Sequence, residues 1–266
     1  MSEKILLNKN GAVAELIFNR PDRHNAYDLD MLDDLEDAFG NIRKDSAIRA
    51  VIIYGAGESA FSSGGDIDSI FQDLSPKKAA VFVRRIQDVF SMQEEIPAAV
   101  ISAINGYCFG GGFEIALASD IRIASKSAYM GLPEVGVGIL SGAGGTQRLM
   151  RYIGSRTVAN EMLLTGKKLK ADEALACGLV SSVYETNEEL LLEARKLANK
   201  IAVTCSPSSI EAIKKCVLYG QNMDLTAGLR FEGEQWGMLF GTGDQIEGIK
   251  AFQERRKPNF PGRETY

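Results

Sequence analysis

The amino-acid sequence predicts an α/β protein whose C-terminal third is helical. Over the first two thirds of the chain, continuous apolar runs alternate with amphipathic stretches of helical periodicity. This is the pattern of parallel strands that are buried on both faces and covered by helices. After Thr146 almost every segment has helical periodicity, and no Pro- or Ser-rich linker precedes that change. We therefore expect an α/β core that is followed by a mainly helical C-terminal third.

The chain opens as a β-hairpin that is followed by a helix. Residues 4–19 alternate apolar and polar side chains on both sides of Asn10-Gly11, a dipeptide suited to the positive φ angles of a tight turn. Apolar residues then recur at helical spacing over residues 29–42, and Asp28 can cap the free N–H groups at the start. The continuous apolar run at residues 50–54 is typical of a strand buried on both faces.

The same alternation continues along the chain. A helical stretch at residues 77–92 precedes a second buried-strand run at residues 98–104. A short apolar run at residues 178–184 can form a further strand among the later helices. Pro207 is placed to begin one of these helices and Gly220 to end another.

Composition and charge exclude several classes of function. The formal net charge of −5 provides no diffuse positive field, so nucleic acid is not expected as a partner. No apolar run reaches 18 residues, which excludes a membrane span, and the N-terminal residues lack a secretory h-region. Four cysteines without CxxC spacing favour a reducing compartment, so we expect a cytoplasmic protein. These cysteines are Cys108, Cys177, Cys205 and Cys216.

The scarcity of histidine narrows the possible chemistry. His24 is the only histidine, and no GxSxG elbow accompanies it, which disfavours a Ser-His-Asp triad. A His-rich metal site is impossible and isolated cysteines do not replace it, so no metal is expected. Residues 136–142 are one residue too long for GxGxxG, and Gly166-Lys167-Lys168 lacks the rest of a P-loop. Acid and base chemistry must therefore rest on carboxylates.

Two Gly-rich turns each follow a predicted buried strand. Residues 105–114 lead into a helix beginning near Gly111, and the consecutive glycines let a ligand approach exposed N–H groups and the positive end of the helix dipole. Residues 61–66 form a similar turn after the earlier strand. Either turn on its own could be explained by close packing of the helix alone. Together they can supply two preorganised donors to one oxygen, which is what enolate stabilisation needs.

Five linked motifs resemble the signature of the crotonase (enoyl-CoA hydratase/isomerase) superfamily, in order and at family spacing. They are Asn19-Arg20-Pro21 with Asn25-Ala26, residues 61–67, residues 105–114, Pro133-Glu134 and residues 142–149. The resemblance covers nearly the whole chain. It implies a spiral core of repeated ββα units at residues 1–200, which holds the CoA and active site. It also implies a helical trimerisation region at residues 201–266, which assembles a trimer or a dimer of trimers.

The resemblance also implies the site residues. The backbone N–H groups of Ser63 and Gly111 are expected to form the oxyanion hole, and Glu114 and Glu134 to act as acid and base. Arg255 preserves a charge suited to a CoA phosphate, and Trp236 is a candidate for lining the CoA or acyl entrance. The full set assigned to substrate binding is Arg23, His24, Ala26, Ser63, Gly64, Gly65, Asp66, Ile67, Gly111, Pro133, Gly142, Trp236 and Arg255.

We therefore expect an enoyl-CoA hydratase that adds water reversibly and with syn stereochemistry to a 2-enoyl-CoA, in fatty acid β-oxidation or related acyl-CoA degradation. The CoA thioester is the substrate, and no cofactor is expected. Tyr27 replaces a common leucine or methionine, and Ser141 stands where many relatives have proline. These departures leave the acyl preference open. The alternatives are an isomerase, a hydratase for a cyclic or branched enoyl-CoA, and a non-catalytic or RNA-binding protein of the same fold.

Overall fold

The computed structural model of the protein describes residues 3–70 and 75–262. The strands are β1 (Ile5–Asn10), β2 (Val13–Phe18), β3 (Ala50–Gly55), β4 (Ala60–Ser62), β5 (Ala99–Ile104), β6 (Tyr107–Phe109), β7 (Ile121–Ser125), β8 (Tyr129–Gly131), β9 (Lys168–Lys170) and β10 (Val183–Tyr184). They form a large sheet in the order β1-β2-β3-β5-β7-β10 and a small sheet in the order β4-β6-β8-β9.

Helices surround both sheets and make up most of the chain after residue 145. They are α1 (Leu29–Lys44), α2 (Ile67–Ile70), α3 (Pro76–Glu94), α4 (Gly111–Leu117), α5 (Gly145–Tyr152), α6 (Arg156–Thr165), α7 (Ala171–Ala176), α8 (Asn187–Thr204), α9 (Pro207–Gly220), α10 (Leu225–Met238) and α11 (Gly243–Gln253). Short 3-10 helices lie at Pro21–Arg23 and Pro133–Val137. No helix in the described ranges is long and apolar enough to cross a membrane.

The core is built by a repeated ββα unit. The pairs β3 and β4, β5 and β6, and β7 and β8 each add one parallel strand to the large sheet and one to the small sheet, and a helical segment follows. This repetition confirms the α/β class and the spiral of ββα units that the resemblance implies. Because each unit turns the same way, the loops after β4, β6 and β8 lie side by side.

The predicted hairpin and first helix are confirmed. Strands β1 and β2 pair antiparallel, and Gly11 takes the positive φ of +61° that the turn requires. The Asp28 carboxylate accepts a hydrogen bond from the Met31 N–H and caps α1. The buried-strand runs become β3 and β5, and the helical stretch between them becomes α3.

Helix α8 covers one face of the large sheet. Its alanines at four-residue spacing, Ala194, Ala198 and Ala202, pack against buried residues of the sheet such as Ile52 and Ile101. Small side chains at these positions let the helix lie close to the strands. Helix α8 passes residue 200 and ends at Thr204, so the change to the C-terminal helices falls just before Pro207. The division into two domains at residue 200 stays a prediction.

The sequence pattern does not predict several short strands. Strands β4, β6, β8 and β9 have three residues each, too few for a period of two to stand out. Strand β7 was also missed. Of the run at residues 178–184, only Val183–Tyr184 forms a strand. Pro207 does begin α9, and Gly220 ends the same helix.

Candidate functional site

The two Gly-rich turns meet at one point of the molecule. Gly64 has a φ of +98°, and a Cβ there would lie 3.0 Å from the Gly111 nitrogen and 2.9 Å from the Phe109 carbonyl oxygen. A side chain would therefore force the turns apart. Buried asparagines hold the loops: the Asn25 amide donates to Ala56 and Ala60, and the Asn105 amide donates to Gly55 and Gly57. These motif residues serve the backbone of the site.

Two N–H groups remain available where the turns meet. Within the described residues, neither the Gly65 N–H nor the Gly111 N–H donates a hydrogen bond to the protein, and both glycines line the same cavity. Gly111 is the first residue of α4, so the helix itself leaves that N–H without a partner. The pair can donate to one oxygen atom of a ligand.

The assignment of Ser63 to the oxyanion hole is wrong. Its N–H donates to the His24 carbonyl oxygen at 3.0 Å, so it is already engaged within the protein. Gly65, two residues later, supplies the available donor instead. This pairing between the loop at His24 and the turn is a contact between distant parts of the sequence, and no local pattern reveals it.

Glu114 projects from α4 into the same cavity and is only 3% exposed. Its Oε1 accepts a hydrogen bond from the Gly145 N–H at 2.7 Å. Arg148 supports that contact because its Nη1 donates to the Ala143 carbonyl at 3.0 Å, while its other nitrogens bind the Glu94 carboxylate. The start of α5 thus fixes the orientation of the Glu114 carboxyl.

Glu134 follows Pro133 in the 3-10 helix after β8 and also lines the cavity. Its Oε2 accepts a hydrogen bond from the Ser141 hydroxyl at 2.9 Å. Its Oε1 lies beside the glycine turn, since a Cβ at Gly110 would be 3.1 Å from that oxygen. One oxygen is therefore hydrogen-bonded to the protein, and the other lies next to Gly110, which precedes the Gly111 donor.

The electrostatics of the site favour proton transfer near neutral pH. Burial raises the pKa of the Glu114 carboxyl to about 7, the Glu134 charge adds to the rise, and the N–H groups of Gly145 and Ala143 oppose it. Burial also raises the pKa of Glu134, against its own backbone N–H and the Ser141 hydroxyl. Two carboxyl groups with raised pKa values can hold one proton between them and act as an acid and a base.

The cavity has a volume of about 910 Å³ and an apolar wall. Helix α3 contributes one side of the wall, and the loop after the 3-10 helix contributes the other. Tyr27 also lines it, and burial together with the charges of Glu114 and Glu134 raises the pKa of its phenol, which therefore stays neutral. The apolar wall residues are Ile67, Ala79, Ala80, Phe82, Val83, Ile86, Val137, Ile139 and Leu140.

Sequence reasoning missed most of this wall. The sequence did contain a signal for it, because residues 135–140 are all glycine, valine, isoleucine or leucine, whereas a loop that contacts only solvent is usually polar. In the structure Val137 is 64% exposed and Leu140 is 69% exposed. It also missed the contacts of Ser141 and Gly145 with the two glutamates.

The structure brings most of the predicted site residues to this cavity. Those that line it are Ser63, Gly64, Gly65, Ile67, Gly111, Glu114, Pro133, Glu134 and Gly142. Ser63 does so without a free N–H group. The other predicted residues lie elsewhere in the structure. They are Arg23, His24, Ala26, Asp66, Trp236 and Arg255.

The residues outside the cavity have their own surroundings. The Asp66 carboxylate accepts a hydrogen bond from Arg20 at 3.0 Å. Ala26 is buried, and its carbonyl oxygen accepts a hydrogen bond from the same arginine. Trp236 is 64% exposed on α10, with its ring against Phe240. Arg23 and His24 are exposed beside the turn, and Arg255 is exposed after α11. Their roles in CoA binding stay predictions.

The described part of the chain contains no group of three or more His, Cys, Asp or Glu side chains arranged to hold a metal ion. Its four cysteines are free thiols. The chemistry that these residues can perform is proton transfer by two carboxyl groups next to a pair of backbone donors.

Known proteins share this sequence and this architecture. A family model described as enoyl-CoA hydratase/isomerase matches residues 8–263. The short-chain-enoyl-CoA hydratase of Clostridium acetobutylicum is 41% identical over 95% of each chain. The (E)-benzylidenesuccinyl-CoA hydratase of Thauera aromatica is 41% identical over 97% of this chain and 99% of its own. The crystal structure of an enoyl-CoA hydratase from Bacillus anthracis gives a TM-score of 0.92 at 35% identity, covering 98% of this chain and 100% of that chain.

Proposed function

The chain belongs to the enoyl-CoA hydratase/isomerase family, and we propose that it is an enoyl-CoA hydratase. The proposed reaction is the reversible syn addition of water to a 2-enoyl-CoA, which gives a 3-hydroxyacyl-CoA. The observation that carries the proposal is that Glu114 and Glu134 line one cavity beside two free backbone N–H groups.

In the proposed mechanism the thioester oxygen accepts hydrogen bonds from the N–H groups of Gly65 and Gly111. The ionised carboxyl of the glutamate pair takes a proton from water as the water oxygen forms its bond to C3. The electron pair of the double bond moves toward the thioester, and the two fixed donors stabilise the resulting enolate oxygen. The protonated carboxyl then supplies the proton that forms the C2–H bond.

The CoA thioester is the substrate in this proposal, and the enzyme needs no metal or redox cofactor. Hydration of an activated double bond forms a C–O bond and a C–H bond without an external oxidant or reductant. Two carboxyl groups with raised pKa values can move the protons, and the backbone donors stabilise the enolate. The pathway that we propose is fatty acid β-oxidation or related acyl-CoA degradation in the cytoplasm.

A bulkier acyl group is a second candidate for the substrate. The cavity volume of about 910 Å³ leaves room beyond a four-carbon chain, and Tyr27 presents an aromatic ring to it. One relative of 41% identity acts on a benzylidenesuccinyl-CoA. We propose that short linear and cyclic or aromatic enoyl-CoAs be compared directly, since the same glutamates and donors serve either group.

We also propose that the protein is a homo-oligomer, as a trimer or a dimer of trimers. Helix α10 has no buried residue, and its side chains Leu225, Leu229, Trp236 and Met238 are each more than half exposed. Large exposed apolar patches commonly mark contacts between subunits.

The decisive experiment compares hydration of crotonyl-CoA by the protein and by two single variants, Glu114→Gln and Glu134→Gln. Each substitution keeps the shape and removes an acid or base, so each should lower kcat by about two to four orders of magnitude. Binding of the CoA ester should persist. Glu188→Gln, on the exposed face of α8, is the matched control and should be as active as the unaltered protein. Near-normal turnover by either active-site variant removes that residue from the mechanism.

A further inference from the structure

Ser141 is a buried serine whose hydroxyl contacts one of the two carboxyl groups. It lies in the loop between the 3-10 helix and α5 and is 4% exposed. Its hydroxyl donates to Glu134 Oε2 at 2.9 Å. Ser141 itself does not line the cavity. Its polar contact with the two carboxyl groups is this hydrogen bond to Glu134.

The loop that carries Ser141 is well anchored. The Ile139 N–H donates to the Glu134 carbonyl at 3.2 Å, and the Gln87 amide donates to the Gly142 carbonyl at 2.7 Å. A Cβ at Gly145 would lie 2.8 Å from the Ser141 Cβ and 2.9 Å from Glu114 Oε1. Ser141 is thus packed against the point at which Glu114 is held, close to both carboxyl groups.

We propose that Ser141 is a positioning residue for Glu134: it ties Oε2 to the protein and leaves Oε1 turned toward the substrate. This inference rests on the proposed hydratase function. A carboxyl group on a flexible side chain can rotate, and one fixed donor selects a single orientation of it. Without that donor, the Glu134 carboxyl group could rotate and would present either oxygen to C2 and C3 of the acyl group, at varying distances.

The same hydrogen bond affects the protonation of Glu134. A hydroxyl that donates to a carboxylate favours the ionised form, so Ser141 opposes the rise in pKa that burial causes. The titratable groups that face Glu134 from neighbouring elements are Glu114 of α4 and Tyr27 of the segment before α1, while Arg148 of α5 acts on Glu114. Removing the serine hydroxyl leaves these groups in place.

The test is Ser141→Ala, assayed with crotonyl-CoA over a range of pH. We expect kcat to fall about tenfold, the usual worth of a hydrogen bond to a charged group. KM should change by less than about twofold because the serine does not touch the substrate. One limb of the plot of kcat/KM against pH should shift to higher pH by about one unit, because the ionised Glu134 has lost its hydrogen-bond donor.

Three comparisons separate positioning from a structural role. Ser141→Thr keeps a hydroxyl and should restore the original pH profile. Ser102→Ala removes another buried hydroxyl, which is bonded to Ser119 outside the cavity, and should leave the profile unmoved. In a Glu134→Gln background, Ser141→Ala should cause no further loss of kcat.

An unmoved pH profile in Ser141→Ala, or a tenfold loss that persists in the Glu134→Gln background, overturns the inference. Either result leaves the hydratase function intact as long as the unaltered protein hydrates crotonyl-CoA or another enoyl-CoA. If the unaltered protein hydrates none of them, the proposed function fails first.

Discussion

Gly111 has no side chain because the ring of Tyr27 occupies the space next to it. A Cβ at Gly111 would lie 2.3 Å from the Tyr27 hydroxyl oxygen and 2.6 Å from Cε1. Gly111→Ala should therefore displace the ring or the turn, and a shift of about 1 Å in the oxyanion donors can cost about a hundredfold in activity. Steady-state hydration of crotonyl-CoA measures the loss.

A compensating variant makes this expectation specific. The double variant Gly111→Ala with Tyr27→Ala removes the clash and keeps the N–H of residue 111, so it should recover at least about tenfold of the lost kcat/KM. Tyr27→Ala alone supplies the reference for the missing ring. A double variant no more active than Gly111→Ala shows that the glycine is needed for a reason other than the tyrosine.

The raised pKa of Glu114 also predicts a dependence of stability on pH. In the unfolded chain this carboxyl ionises near its ordinary value, whereas burial raises its pKa to about 7 in the folded protein. The folded state therefore binds the proton more tightly, and its stability falls as the pH rises from about 4.5 to about 7. Above that range the penalty is complete and amounts to at most about 3 kcal/mol.

Glu114→Gln should remove this penalty. Its melting temperature should exceed that of the unaltered protein by several degrees at pH 8, and the two should nearly coincide near pH 4. Thermal unfolding at the two pH values measures the difference. Glu3→Gln removes a charge from an exposed position and should give no such trend. Equal shifts at both pH values contradict the raised pKa.

For single residues, only the resemblance to the family identified Glu114 and Glu134 as the catalytic pair. Glu114 and Glu134 are two of 35 acidic residues, and neither has a local pattern that distinguishes it from a surface residue. The glycines of the two turns were predictable as a place for backbone donors. The choice between Ser63 and Gly65 depended on a hydrogen bond from Ser63 to His24, nearly forty positions away in the chain.

Among the elements, α3 decides how much of the cavity is available to the acyl group. Ala79 lies on the face of α3 that lines the cavity, whereas Val81 of the same helix is 67% exposed and lies outside it. Ala79→Phe should fill part of the cavity. We expect it to lower kcat/KM for dec-2-enoyl-CoA about tenfold more than for crotonyl-CoA, since lost space matters most to the longer chain.

Val81→Phe is the matched control for this prediction, because it adds the same ring to the same helix on the solvent side. Its ratio of kcat/KM between the two substrates should equal that of the unaltered protein. An equal ratio in Ala79→Phe as well would place the acyl group against another wall of the cavity.

Long elements were predictable from the sequence, and short ones were not. Helices α1 and α3 and strands β3 and β5 have enough residues for their periodicity to be read directly. The strands of the small sheet have three residues each and owe their existence to pairing with neighbours distant in the chain. Strand β6 lies within the segment that the sequence suggests is a glycine turn. Tertiary pairing decided its conformation.

For the whole molecule, the repeated ββα unit explains why the site forms where it does. The chain shows no repeat at the level of sequence, yet each unit adds a strand to both sheets and brings its following loop to the same edge. Gly65 lies in the loop after β4, Gly111 begins the helix after β6, and Glu134 lies in the 3-10 helix after β8. Local pattern established the α/β class, whereas the winding of the units depends on contacts between them and followed only from the resemblance.

The C-terminal helices predict the assembly of the molecule. Many of their large apolar side chains are more than half exposed in the single chain, and burying them in water-free contacts would be strongly favourable. These residues are Ile213, Val217, Leu225, Leu229, Trp236, Met238, Phe240, Ile246, Ile249 and Phe252. We expect the protein to sediment as a trimer or hexamer that is stable on dilution.

The variant Leu229→Glu with Phe240→Glu places one charge on α10 and one just after its end, at two apolar side chains that are more than half exposed. An interface that buries these positions would have to bury unpaired carboxylates, so the variant should sediment as a smaller species. Leu192→Glu changes an equally exposed leucine of α8 and is the control, with unaltered sedimentation expected. Since Glu114 and Glu134 lie outside these helices, the dissociated variant also reveals whether one chain can hydrate crotonyl-CoA alone. A stable monomer formed by the unaltered protein at micromolar concentration contradicts the assembly.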